Sequence, residues 1–98
     1  MEQDKIIEQA AKIHSEISKI NINGELKQIN FRNHITATEK KHIKQVVEYV
    51  INNKITKPVK FNHRTDEWKV KKIGAQIFVI RQFKINRSIR NHTFIVTI

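Results

Sequence analysis

The sequence predicts an α+β domain in which helices come first and a pair of strands closes the chain. Three observations carry that expectation. Apolar residues recur at i, i+3, i+4, i+7 and i+8 at Ile43, Val46, Val47, Val50 and Ile51, the spacing of one helix face. Toward the carboxyl end, β-branched and aromatic runs at Gln76–Phe83 and Thr93–Ile98 read as strands. Between those runs lies Lys84–His92, which holds Lys84, Arg87 and Arg90, amide and imidazole side chains, and no acid. Two greasy strands joined by a cationic tip predict a hairpin aimed at something negatively charged.

At 98 residues the chain is expected to form a single domain over 1–98 with one modest core. The net charge is +10, and its placement says more than its size. Residues 1–50 hold eight Lys or Arg against seven Asp or Glu, whereas residues 51–98 hold eleven against two. From Trp68 onward there are seven basic residues and no acid. Such lopsidedness is the electrostatic footprint of a protein that lies against phosphate. A basic half that merely aids solubility, or one that meets an acidic protein, is the competing explanation. There is no cysteine, so disulfides and thiolate metal sites are excluded. No apolar run approaches the roughly 18 residues of a membrane span. The opening Met-Glu-Gln-Asp-Lys lacks a secretory pattern, so a cytoplasmic protein without a membrane partner is expected. Ile, Lys and Asn make up 41 of the 98 residues; their A/T-rich codons suggest an AT-rich bacterium, plasmid or phage.

Taken in order, residues 3–20 predict an amphipathic helix, with Ile6, Ala10, Ile13, Ile17 and Ile20 on one stripe. The same seam suits either packing on its own domain or a short homodimer contact. Asn23-Gly24 predicts a turn and Leu26–Phe31 a short strand. Thr36-Ala37-Thr38-Glu39 fits a capping box and opens a helix over Thr36–Asn53. Residues 54–64 are extended and basic, with Lys54, Lys57, Lys60, His63 and Arg64 around Pro58. Thr65–Ile73 fits a helix better than a strand: Thr65 is a suitable N-cap, Asp66 and Glu67 suit the first turn, Lys71 and Lys72 the last, and Gly74 the stop. Trp68 is expected to anchor the core.

That succession of helix, strand, helix, helix, strand, tip and strand resembles the winged helix-turn-helix superfamily over nearly the whole chain, in element order and charge placement. Small origin-of-transfer-binding winged-helix proteins of clostridial conjugative plasmids look similar in size and charge. The resemblance implies a recognition helix at Thr65–Ile73 and a wing at Lys84–His92. It also implies a sequence-specific DNA-binding protein of a mobile element, serving transfer or transcription regulation on double-stranded DNA. A homodimer is expected because one module of this size rarely gives useful specificity and paired half-sites are the usual remedy. Lys69, Lys71 and Lys72, with Lys60 and Arg64, suit phosphates. Lys84, Asn86, Arg87, Ser88, Arg90, Asn91 and His92 form the wing, where Arg87 and Arg90 suit guanine and Asn86 or Asn91 adenine.

Catalysis is not the first expectation. The five histidines, His14, His34, His42, His63 and His92, show no chelating spacing, so no metal site is expected. Two glycines cannot make a phosphate loop, Ser15, Ser18 and Ser88 lack an activating context, and no cofactor or small-molecule ligand is implied. The serious rival is a metal-independent ribonuclease of the toxin kind, with His34, Arg81, His92 and Thr97 as candidate groups. If residues 67–73 are a strand, the chain reads as helices followed by a three-stranded meander, which fits that plan too. A non-catalytic inhibitor of a host nucleic-acid enzyme is the third class.

Overall fold

Hydrophobic alternation, rather than helical periodicity, governs most of the folded chain. A computed structural model describes residues 16–32 and 34–98. Its elements are β1 (Glu16–Ile22), β2 (Glu25–Phe31), α1 (Ala37–Asn52), β3 (Val59–His63), β4 (Asp66–Ile73), β5 (Gln76–Ile85) and β6 (Ser88–Thr97). The six strands form one sheet in the order β1-β2-β6-β5-β4-β3, and every neighbouring pair is antiparallel. After the β1–β2 hairpin, α1 carries the chain across one face to the far edge. The strands β3 to β6 then meander back until β6 pairs with β2.

Two-residue turns fix the register. Asn23 and Gly24 both take positive φ, 52° and 88°, as a type I′ hairpin turn requires. Arg64, Gly74 and Asn86 supply the positive φ in the turns that follow β3, β4 and β5. On the face under α1, Ile20, Ile22, Ile29, Phe31, Trp68, Val70, Ile77, Val79, Phe94 and Val96 are buried. Above them lie Ile43, Val46, Val47 and Val50 of α1, with Ile51 partly buried at the margin. The helix begins where the capping box places it: Thr36 Oγ1 accepts from the Glu39 N–H at 3.0 Å, and Glu39 Oε1 accepts from the Thr36 N–H at 3.1 Å.

The winged-helix expectation is overturned. The described residues hold one helix against six strands, not the several helices of that fold. Thr65–Ile73 is not a recognition helix but the turn residue Thr65 followed by β4. Trp68 and Val70 point into the core while Lys69 and Lys71 stand exposed, a period of two. The acids and Gly74 that resemble helix punctuation instead flank two hairpin turns. The helix expected over 3–20 fails at its carboxyl end, where 16–20 belong to β1; its residues 3–15 lie outside the described ones. Ile17 is exposed and Ile20 buried, because positions three apart on a strand face opposite ways. The hairpin itself stands, yet Lys84–His92 is no loop. Strand pairing continues to Ile85 and Ser88, leaving only Asn86 and Arg87 as the turn. No helix among the described residues is long and apolar enough to cross a membrane.

Phe94, enclosed between β5, β6 and α1, tests this packing. Phe94→Ala should cost about 3–5 kcal/mol in urea unfolding, whereas a loss below about 1 kcal/mol would mean that the helix does not cover this part of the sheet.

Candidate active site

Strand register sets four side chains in one row on the helix-covered face. Phe61 pairs with Trp68, Trp68 with Arg81, and Arg81 with His92, across β3, β4, β5 and β6. The neighbouring row, Val70, Val79 and Phe94, is apolar core. The polar row therefore marks the place where the core ends, and the amino end of α1 lies over it.

Glu39 closes this row from above. Its side chain is only 2% exposed, yet every oxygen is occupied. Oε1 accepts from the backbone N–H and the hydroxyl of Thr36, both at 3.1 Å. Oε2 accepts from Arg81 Nη1 at 3.0 Å and from His92 Nδ1 at 3.0 Å. Burial alone would raise the Glu39 carboxyl, but the hydrogen bonds from His92, the Thr36 N–H and Arg81 outweigh it and hold it below the ordinary carboxylate range. An ionised carboxylate only accepts, so Nδ1 of His92 must donate, and the neutral imidazole keeps its lone pair on Nε2. Glu39 thus has no free lone pair with which to take a proton. It is a positioning group.

Arg81 is clamped from two sides. Nε donates to Asp66 Oδ2 at 2.7 Å, and Nη2 lies 2.6 Å from the same oxygen. Its burial works against the charge, but the bonds to Asp66 and Glu39 prevail and raise its already high pKa further. The guanidinium lies 4.5 Å from the Phe83 ring centroid and 5.9 Å from that of Trp68. Each terminal nitrogen still has an N–H beyond these contacts, so Arg81 can bind an oxyanion without leaving its carboxylates.

His92 is 36% exposed. Phe83 meets its ring edge-on at 4.9 Å, and the exposed His34 ring stands 6.3 Å away between centroids. On the other side of Arg81 a cleft of about 740 Å³ opens, bordered by Thr38, Lys41, His42, His63, Arg64 and Trp68 as well as Glu39 and Asp66. Among the described residues no group of three or more His, Asp or Glu could hold a metal ion.

The residues expected to touch a partner are divided between the two faces. Arg64 lines the cleft, and Arg90 shares the face of His92, two positions along β6 and opposite Phe83. Lys69, Lys71, Lys84 and Asn91 alternate onto the opposite, helix-free face. Lys60 is tied to Glu67 at 2.8 Å, and Lys72 stands near the far end of β4. Asn86, Arg87 and Ser88 form the exposed tip. Of the ribonuclease candidates, His34, Arg81 and His92 converge. Thr97 does not: it lies on the opposite face, five residues along β6 from His92, or about 17 Å. Glu39, Asp66 and Phe83 went unread as site residues. Glu39 has a sufficient local role as a capping acid, and Asp66 suits the first turn of a helix where the structure has β4.

Comparison with protein-family models, with curated proteins and with solved structures yields no match.

The Glu39 cluster predicts a pH signature. Its folded-state pKa is lowered, so its stabilisation is complete above the ordinary value near 4.5 and is lost as pH falls through the lower folded value. Glu39→Gln should cost about 3 kcal/mol at neutral pH, at the low end for a broken buried ion pair because Arg81 keeps its bond to Asp66 and stays partly hydrated. Urea unfolding across pH 7 to about 3 should show that gap narrowing on acidification; a gap that widens would contradict the assignment.

Proposed function

We propose that this chain is a small, metal-independent RNA-cleaving protein in which His92 performs proton transfer. The carrying observation is the Glu39–His92 pair. A buried and fully hydrogen-bonded carboxylate fixes Nδ1, which leaves Nε2 as the working atom of a partly exposed imidazole. Three further features support the reading. Arg81 is held next to His92 with N–H groups to spare. A second imidazole, His34, faces His92. Lys41, Arg64 and the basic β5–β6 ribbon surround the site with cationic groups suited to a polyanion.

The chemistry then runs as an in-line transesterification. Neutral His92 takes the 2′-hydroxyl proton on Nε2, and the 2′-oxygen bonds to phosphorus. Arg81 N–H groups stabilise the added charge on the phosphoryl oxygens. The phosphorus–O5′ bond breaks as protonated His34 gives its proton to O5′. A 2′,3′-cyclic phosphate and a 5′-hydroxyl result, and no metal or water enters the step. DNA, lacking the attacking hydroxyl, is bound but not cut.

A second reading is non-catalytic nucleic-acid binding, to duplex DNA and as a dimer. It is favoured by the ribbon tip, where Lys84, Arg87 and Arg90 are exposed and none makes an ion pair with a described residue.

Incubation with total RNA in excess chelator separates the two. Cleavage by the purified protein is expected, with cyclic phosphate ends. It should fall by about 10²–10⁴-fold in His92→Ala and in His34→Ala. Intact RNA together with a duplex-DNA shift would favour the second reading, and cleavage that survives His92→Ala would overturn the first.

A further inference from the structure

Next to the cleft beside Arg81 lies a smaller cavity that the proton-transfer chemistry does not use. This cavity, about 260 Å³, is lined by His42, Gln45, Val46, Tyr49, Phe61, Asn62, His63 and Trp68. Four of these residues, His42, Gln45, His63 and Trp68, also border the larger cleft, so the two spaces are neighbours.

Helix geometry brings this wall together. On α1, Ile43, Val46, Val47 and Val50 face the core, and His42, Gln45 and Tyr49 flank that stripe on the side of β3. Tyr49 meets Phe61 edge-to-face at 5.3 Å and 90°. His42 lies 4.0 Å from His63 and 5.6 Å from Trp68 between ring centroids. Five aromatic or imidazole rings therefore surround one small space, with Gln45 of α1 beside them. Trp68 is 3% exposed, and its buried indole N–H has no acceptor among the described residues. Tyr49 is 46% exposed, so its ring is open to a molecule entering the cavity.

We infer that this cavity is a nucleobase subsite for single-stranded RNA, an inference that rests on the RNA-cleaving reading of the neighbouring cleft. Rings offer stacking faces to any base, and the Gln45 amide offers a donor and an acceptor to its edge. Lys41 and Arg64 line the neighbouring cleft, along which the intervening phosphates would pass. Phe61 and His92 stand at opposite ends of the polar row, three strand spacings or about 14 Å apart. The base held here is consequently not the one at the scissile phosphate but one a couple of nucleotides away. Dinucleotides cannot reach both places, and longer strands can.

Trp68 is the only tryptophan and lines the cavity, so its fluorescence reports occupancy directly. Single-stranded tetranucleotides blocked against cleavage by 2′-O-methylation are titrated against the full chain, alongside copies with one abasic position. The expected result is a change in Trp68 emission on binding and a roughly tenfold weaker affinity for one abasic register, the size of a single base–aromatic stack. Tyr49→Ala, an exposed position whose fold is checked by circular dichroism, should lose about the same factor on the intact strand and nothing further on the abasic one. Equal affinity for every abasic register, or unaltered binding by Tyr49→Ala, would overturn the subsite while leaving RNA cleavage standing. Register-dependent binding by a protein that never cuts unmodified RNA would keep the subsite and remove the cleavage reading.

Discussion

The carboxylate of Glu39 joins the two layers of this protein at the row where the apolar core gives way to polar groups. It completes the cap of α1 through Thr36, and it receives Arg81 and His92 from the central strands of the sheet. A buried acid is costly unless its lone pairs are used and its charge is met. Both conditions hold, through partners 42 and 53 residues further along the chain. Docking of the helix and orientation of the imidazole are therefore one event. A change that frees Glu39 would loosen both, which couples local stability to the geometry on which any chemistry at His92 depends.

The arrangement also explains how one short chain can present two different surfaces. On the helix-covered face, Arg81, Phe83, Arg90 and His92 share a strip that runs from the end of the core up the β5–β6 ribbon. Pairing with β4 stops at Gln82, so beyond that point the ribbon stands clear of the sheet. On the opposite face, Lys69 and Lys71 lie beside the partly buried Phe78, Ile80 and Ile95. A partner drawn by charge alone could meet either face, but only the first brings it to imidazole and guanidinium groups held in fixed positions.

Sequence reasoning reached the parts of this structure that are encoded locally. The Asn23-Gly24 turn, the strand at Leu26–Phe31, the capping box at Thr36 and the buried stripe of α1 all depend on residues a few positions apart. The segment 65–73 is ambiguous in sequence, because Thr65, two acids, two lysines and Gly74 satisfy helix punctuation as well as hairpin punctuation. What decides between them is pairing with β3 and β5, which no local pattern contains. The site was harder still. Arg81, His92 and His34 were named as candidates without geometry, whereas Glu39 already had one sufficient role and gave no reason to seek another. Its second role exists only once β5 and β6 lie beneath the helix.

The central claim, that Glu39 fixes His92 for proton transfer at Nε2, is open to direct observation. Long-range ¹H–¹⁵N correlation spectra of the imidazole rings, recorded at a pH where they are neutral, report which nitrogen carries the proton. For His92 the expected result is the Nδ1–H tautomer, lost in Glu39→Gln. An Nε2–H tautomer in the unaltered protein, or a ring that averages between the two, would contradict the account.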